Sequence, residues 1–258
     1  MYLIINADDF GMSKEVNHAI RNCFYRGMIS STSLLVNMPG FEEAVQMIKE
    51  DSIFQNRVGI HLNLFEGVPL TSAMKENLLY CNEHGMFRYL QGHISFLAPR
   101  SIARTIVYDE LKAQIVKALD SGLIPTHLDS HAHYHSNWFV GKTVIDLAKE
   151  FHIPYIRTSP NLADCSRKKH LINCIFNRRR RLSKYGLKKC DYMGNVVEIE
   201  KNLSRIKGWC EMMIHPTTRE DGVIIDAEFQ KPLDDLLAFL GDIAKYSYCD
   251  IKNFSPEK

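Results

Sequence analysis

Residues 1–13 read Met1-Tyr-Leu-Ile-Ile-Asn-Ala-Asp-Asp-Phe-Gly-Met-Ser13. Positions 2–7 form a continuous, mainly apolar run, the pattern of a strand covered on both faces. Ser13 can cap a following helix, with Glu15 in its first turn. Val16, Ala19, Ile20, Cys23 and Phe24 then recur at helical spacing, and Gly27 stops that helix. A buried strand leading into an amphipathic helix is the first unit of an alternating β/α chain.

The alternation continues. Positions 31–36 and 57–64 read as strands, with a helix over 41–49 between them. A longer irregular stretch runs from 65 to about 100. Ile102, Ile106, Leu111, Ile115 and Leu119 mark a helix that ends near Gly122. A short strand at 126–129, a helix carrying Val140, Val144, Leu147, Ala148 and Phe151, and a strand at 155–157 follow. Later, 203–207 looks helical, 209–214 looks like a strand and 233–244 closes with a helical pattern. This order predicts an α/β fold with parallel strands. The number of units suits a (β/α) barrel-like arrangement, with the active site at the C-terminal ends of the strands. No linker, repeat or low-complexity tract divides the chain, so residues 1–258 are expected to form a single barrel-like domain. No Gly-rich phosphate loop follows the first strand, which argues against nucleotide binding.

Bulk properties narrow the class. The chain has 258 residues, 45% hydrophobic and 24% charged, ordinary values for a soluble globular protein. The N-terminal apolar run is short and ends in two aspartates, so a secretory signal is not expected. No apolar run reaches the roughly 20 residues of a membrane span. The seven cysteines are scattered and odd in number, the pattern of reduced thiols in a cytoplasmic protein.

The formal charge of +2 is unevenly spread. Ten basic residues and no acid lie between Ser166 and Cys190: Arg167, Lys168, Lys169, Arg178, Arg179, Arg180, Arg181, Lys184, Lys188 and Lys189. This basic insertion at about 165–190 is expected near the rim of the site, able to receive an anionic group such as a sugar phosphate. A solvated face or lid explains such a run better than nucleic-acid docking.

Polar residues gather where the expected strands end. Asn6, Asp8 and Asp9 follow the first; His61 and Asn63 end the third; His127, Asp129, His131, His133 and His135 follow the fourth; His215 follows 209–214. In a parallel barrel these ends share one face. The run His127-Leu-Asp-Ser-His131-Ala-His133-Tyr-His135 places imidazole or carboxylate at every second position. In extended chain they would share a face, and both are good ligands for divalent metals. An exposed polar loop could carry such a run, but the interleaved Asp129 and the preceding strand favour a metal site. The paired Asp8 and Asp9 allow a division of labour, one carboxylate on a metal and its neighbour acting as base on water. His215, before Pro216, reads as a general acid for a leaving amine.

Five segments in order resemble the YdjC-like family of carbohydrate deacetylases, which includes the chitooligosaccharide deacetylases: Asn6-Ala-Asp-Asp-Phe-Gly-Met-Ser13, Ser31-Thr-Ser-Leu-Leu-Val-Asn37, Gly59-Ile-His-Leu-Asn-Leu64, Thr126-His-Leu-Asp-Ser-His-Ala-His-Tyr-His135 and Met213-Ile-His-Pro216. The resemblance implies a barrel-like fold and a divalent ion, magnesium first, with zinc or another divalent transition metal as alternatives. It implies Asp9, His61 and His131 as ligands and Asp8 as base. His127, Asp129, His133 and Arg157 are then substrate-facing groups or orienting partners of the ligands. The implied reaction removes the acetyl group from an N-acetylated sugar or oligosaccharide, with or without a phosphate. The alternative is a phosphoesterase or amidohydrolase acting on another small molecule. Neither nucleic acid nor membrane is an expected partner, and a homodimer is left open. The family often has His-Pro-Gly where this chain has His215-Pro-Thr.

Overall fold

Side-chain alternation along the first strand explains the architecture. The structure is a computed structural model and describes residues 1–88, 100–162 and 182–253. Strand β1 (Tyr2–Phe10) turns Leu3, Ile5 and Ala7 toward a large apolar cluster and Ile4 toward a separate, smaller one. A strand with two apolar faces needs cover on both sides, as a parallel sheet with helices outside provides.

The sheet has seven parallel strands. They are β1, β2 (Ser31–Leu34), β3 (Val58–Leu62), β4 (His127–Ser130), β5 (Tyr155–Ile156), β6 (Tyr192–Asn195) and β7 (Trp209–Ile214), in the spatial order β5-β4-β3-β2-β1-β7-β6. That is the cyclic order of a barrel, opened between β5 and β6, and the sheet is a curled half-barrel. The seam is partly bridged. Lys188 pairs with Tyr155, accepting from Ile156 N–H at 3.1 Å and donating to Pro154 O at 2.9 Å. Met193 O accepts from Asn161 N–H at 3.1 Å.

Helices α1 (Lys14–Tyr25), α2 (Phe41–Glu50), α3 (Ser72–Lys75), α4 (Arg100–Asp120), α5 (Trp138–Glu150) and α6 (Val196–Asn202) lie between the strands in sequence. Ser13 caps α1 through Val16 N–H, as its position predicted. Beyond β7 a small antiparallel sheet forms from β8 (Pro216–Thr218), β9 (Ile224–Asp226) and β10 (Lys231–Pro232), followed by α7 (Leu233–Leu237). Among the described residues no helix is long and apolar enough to cross a membrane.

Three expectations need correction. The helix expected over 203–207 is instead α6, about two turns earlier, where Asn195 and Glu198 form a reciprocal capping box; Leu203–Arg205 is only a 3₁₀ turn. Strand β6 escaped notice because Tyr-Met-Gly-Asn lacks β-branched residues. The closing helix stops at Leu237 and tightens into a 3₁₀ turn, which Gly241 ends with a positive φ of 49°. Most of the basic insertion falls outside the described residues.

The smaller cluster lies on the face of β1 opposite the large one. Ile4, Tyr155, Cys190, Trp209, Tyr248 and Ile251 meet there. His127 stacks on Tyr248 with ring centroids 3.9 Å apart, and a Cβ at Gly59 would lie 2.4 Å from the His127 ring. His127 is therefore a packing residue beneath the site. Burial pushes its pKa down to about 4, so the fold holds it neutral. The unfolded chain binds this proton at the ordinary histidine pKa of roughly 6.5, so the contribution is whole above that pH and is lost as pH falls toward 4. His127→Phe, which keeps the ring stack, should lose less stability between pH 7 and 4 than the wild type, by on the order of 1–3 kcal/mol in urea melts. Parallel pH profiles for the two proteins would remove His127 as the titrating group.

Candidate active site

Asp8 and Asp9 are neighbours in a strand, where adjacent side chains point to opposite faces. The chain evades this by a bulge. Ala7 pairs with Thr32 and Phe10 with Leu34, so β1 carries one residue more than β2 over this interval. The extra residue is accommodated where Asp9 takes a positive φ of 70°. The chain turns at Asp9 itself, and Gly11, two residues on, also takes a positive φ of 90°. Both carboxylates consequently face His61: Asp9 Oδ1 lies 3.4 Å and Asp8 Oδ2 3.9 Å from its Nε2.

The run from His127 to His135 does not stay extended. β4 ends at Ser130, and Ala132 and His133 both adopt positive φ within a tight 3₁₀ segment. The turn brings His131 over the end of β1, with Nδ1 2.8 Å from Asp9 Oδ1. His135 folds back onto Ser130 Oγ at 2.8 Å. Thus of four histidines expected on one face, only His131 joins Asp9 and His61. His133 lies close enough to Asp8 and His215 for their charges to be felt, and burial pushes its pKa down to about 3.

Asp9, His61 and His131 can each place one donor atom within 4.8 Å of the others. Their orientation is fixed from behind. His61 Nδ1 meets Asp129 Oδ1 at 2.7 Å, which leaves Nε2 for the cluster. This carboxylate–histidine arrangement is the usual support of a ligating imidazole. Burial opposes a charge on His61, yet Asp129 and Asp8 carry its pKa up to about 10. Burial opposes one on His131 too, and the hydrogen bonds to Asp9 and Glu66 carry it up to about 9. The site therefore favours positive charge at the point where the donors converge, and two imidazoles with one carboxylate suit a divalent cation. By donor chemistry and orientation the residues fit the implied metal.

Two other clusters are less suited. Asp8, His61 and Asp129 also meet, but Arg157 occupies both carboxylates there. His215, Asp226 and Glu228 meet as well, but Asp226 is engaged by the backbone N–H groups of His215, Glu228 and Phe229.

Arg157 is 1% exposed and packs against Asp8. It forms two 2.6 Å bonds to the Asp8 carboxylate, one of 2.7 Å to Asp129 and one of 2.6 Å to Glu211. Burial alone would raise the Asp8 pKa; Arg157 and His61 outweigh it and hold Asp8 below the ordinary carboxylate range. Burial likewise opposes ionisation of Asp9, and the bonds from His131 and His61 hold it low. A carboxylate offers about four lone-pair sites. Arg157 and Asn6 take three on Asp8, and the remaining one lies on Oδ2, the oxygen nearer His61 Nε2. His215 follows β7, its backbone N–H held by Asp226 at 2.8 Å and its Nδ1 3.8 Å from Glu228.

Sequence reasoning missed Ser33, Glu66 and Glu211. Ser33 donates to Asp129 at 2.9 Å and contacts His61 Nδ1 at 3.1 Å. Glu66 reaches His131 Nε2 at 3.0 Å. Glu211 was detectable as the one acid in the apolar strand Trp-Cys-Glu-Met-Met-Ile; Glu66, in an irregular segment, gave no signal.

A curled parallel sheet with an Asp-His-His cluster at its strand ends defines the class as a (β/α) barrel-like protein with a metal-type site. The model of the YdjC-like protein family matches residues 2–246, and the chain belongs to that family. A carbohydrate deacetylase from Brevibacillus brevis is 40% identical over 154 residues, 60% of this chain and 58% of that protein, so the alignment spans little more than half of the relative. A carbohydrate deacetylase from Thermoanaerobacter pseudethanolicus is 33% identical over 235 residues, covering 86% of this chain and 84% of the relative. The fold resembles that of an Enterococcus faecalis protein described as a candidate cellobiose-phosphate cleavage protein, with a TM-score of 0.70 over 97% of this chain and 98% of that one, at 21% identity.

Proposed function

We propose that this protein is a divalent-metal-dependent hydrolase that removes the acetyl group from an N-acetylated sugar, giving acetate and a free amino sugar. The observation that carries the reading is the convergence of Asp9, His61 and His131 beside the one lone pair of Asp8 left without a partner among the described residues. Relatives named carbohydrate deacetylase support the choice of substrate class. Magnesium is the first choice of ion. The reading treats the chain as one domain acting in the cytoplasm.

Asp9, His61 and His131 would hold a divalent ion, which would supply Lewis acidity to a carbonyl oxygen and make water more acidic. The chain does the rest. Arg157 and Asn6 hold Asp8 ionised, with Oδ2 turned to the site, so Asp8 takes the proton from the attacking water. A carboxylate held this acidic is a weak base, so it works only on water that is itself made acidic. Asp129 and Ser33 keep His61 in one orientation. His215 gives a proton to the departing sugar nitrogen as the C–N bond breaks.

The test is acetate release from a panel of N-acetylated mono- and oligosaccharides, phosphorylated members included. Release should vanish with chelator and return with Mg²⁺, Mn²⁺ or Zn²⁺. Activity that chelation leaves intact would end the metal reading. Release of phosphate, or hydrolysis only of amides that carry no sugar, would favour the phosphoesterase or amidohydrolase alternative.

A further inference from the structure

Helix α4 carries two fully buried polar residues one turn apart, Glu110 and Gln114. Neither touches Asp9, His61 or His131. Both reach outward to the segment that follows β3. Gln114 Oε1 accepts from Asn63 N–H at 2.8 Å, and its Nε2 donates to Asn63 O at 2.7 Å and to Glu110 Oε1 at 2.9 Å. Glu110 also accepts from Leu70 N–H at 3.0 Å, Thr71 N–H at 2.9 Å and Thr71 Oγ1 at 2.8 Å. Asn63, buried itself, closes the segment on the inside. Its Oδ1 accepts from Phe65 and Glu66 N–H at 2.8 and 3.2 Å, and its Nδ2 donates to Glu66 O at 2.9 Å.

This network fixes one loop position. If residues 63–71 moved, a buried carboxylate and a buried amide would lose their partners, and a stranded polar group in the interior is unfavourable. The outcome of that fixed position is seen at His131. Glu66 Oε1 sits 3.0 Å from His131 Nε2, and the Phe65 ring meets the same imidazole edge-on with centroids 5.3 Å apart. With Nδ1 facing Asp9, a proton on Nε2 donated to Glu66 leaves the Nδ1 lone pair for an ion.

We propose that Glu66 is a positioning residue for His131, and that Glu110 and Gln114, acting through Asn63, set where Glu66 stands. The proposal rests on the metal reading above and extends it to residues outside the ligand set. Co²⁺ binding to the full chain, followed by calorimetry and by visible absorption, tests both. Glu66→Ala should bind Co²⁺ about 10–100-fold more weakly than wild type, with an altered spectrum. Glu66→Gln should recover part of the affinity, because its amide oxygen still accepts. Gln114→Met should weaken binding in the wild-type background and have no further effect in the Glu66→Ala background. Glu110→Gln serves in its place if Gln114→Met does not fold.

Glu66→Ala with wild-type affinity overturns the proposal while the metal reading stands. Glu66→Gln as weak as Glu66→Ala overturns the hydrogen-bond route, and additive effects of Glu66→Ala and Gln114→Met overturn the role of the clamp. A wild-type protein that takes no Co²⁺ overturns the metal reading and this proposal with it.

Discussion

Asp8→Asn should lower kcat by about 10²–10⁴-fold while the protein keeps its ion, and Asp9→Asn should weaken the ion itself. The two carboxylates differ in their neighbours. Asp8 is held by Arg157 and Asn6 and, among the described residues, has one lone pair left, on the oxygen nearer His61. That suits proton transfer and leaves little capacity for a metal bond. Asp9 Oδ1 faces both imidazoles, at 2.8 and 3.4 Å, and no arginine competes for it among the described contacts. Removing a unit charge beside a divalent ion in a partly buried site costs on the order of several kcal/mol. Metal stoichiometry measured beside kcat decides the matter. An Asp8→Asn protein that has lost its ion, with an Asp9→Asn protein that has kept it, would reverse the roles.

The largest effect on stability is expected at Arg157. Its guanidinium serves Asp8, Asp129 and Glu211 in a space without solvent. Arg157→Met leaves three buried acids without their cation, and breaking a buried pair from one side costs about 3–5 kcal/mol. Against a total of about 5–15 kcal/mol, that puts the variant close to unfolding. Arg157→Lys should recover only part of the loss, because an ammonium cannot form the two parallel bonds to Asp8. The pH dependence carries a sign. In the wild type, Asp8 and Asp129 lie below the ordinary range, so their contribution is present above about pH 4 and is lost as pH falls through and below it. In Arg157→Met the stranded carboxylates hold protons more readily, so the stability gap to wild type should narrow on acidification. A gap below about 1 kcal/mol at pH 7, or one that widens in acid, would show that Arg157 does not compensate these charges.

Much of this was legible in the chain itself. The apolar run before Asp8, the caps and the helical spacings determined that strands and helices alternate, because a strand covered on both faces and an amphipathic helix each leave a periodic trace. Alternation determined parallel strands, and parallel strands put Asp8, Asp9, His61, His131 and His215 at one end. Local pattern failed where structure is bought by context: β6 holds no β-branched residue, and α6 is shifted by a capping box that only a folded Asn195 completes.

What only the tertiary structure decided is the direction in which each polar group points. Extended chain would set Asp8 and Asp9 apart and align His127 with His131, His133 and His135. A bulge with positive φ at Asp9 and two left-handed residues after His131 undo both expectations. Arg157 was open to two roles, facing a substrate or orienting the ligands, and the alternation of β1, β4 and β7 surrounded it with three acids. Sequence carries periodicity, which determines faces. Backbone turns of one or two residues carry none, and they decided which residues on those faces meet.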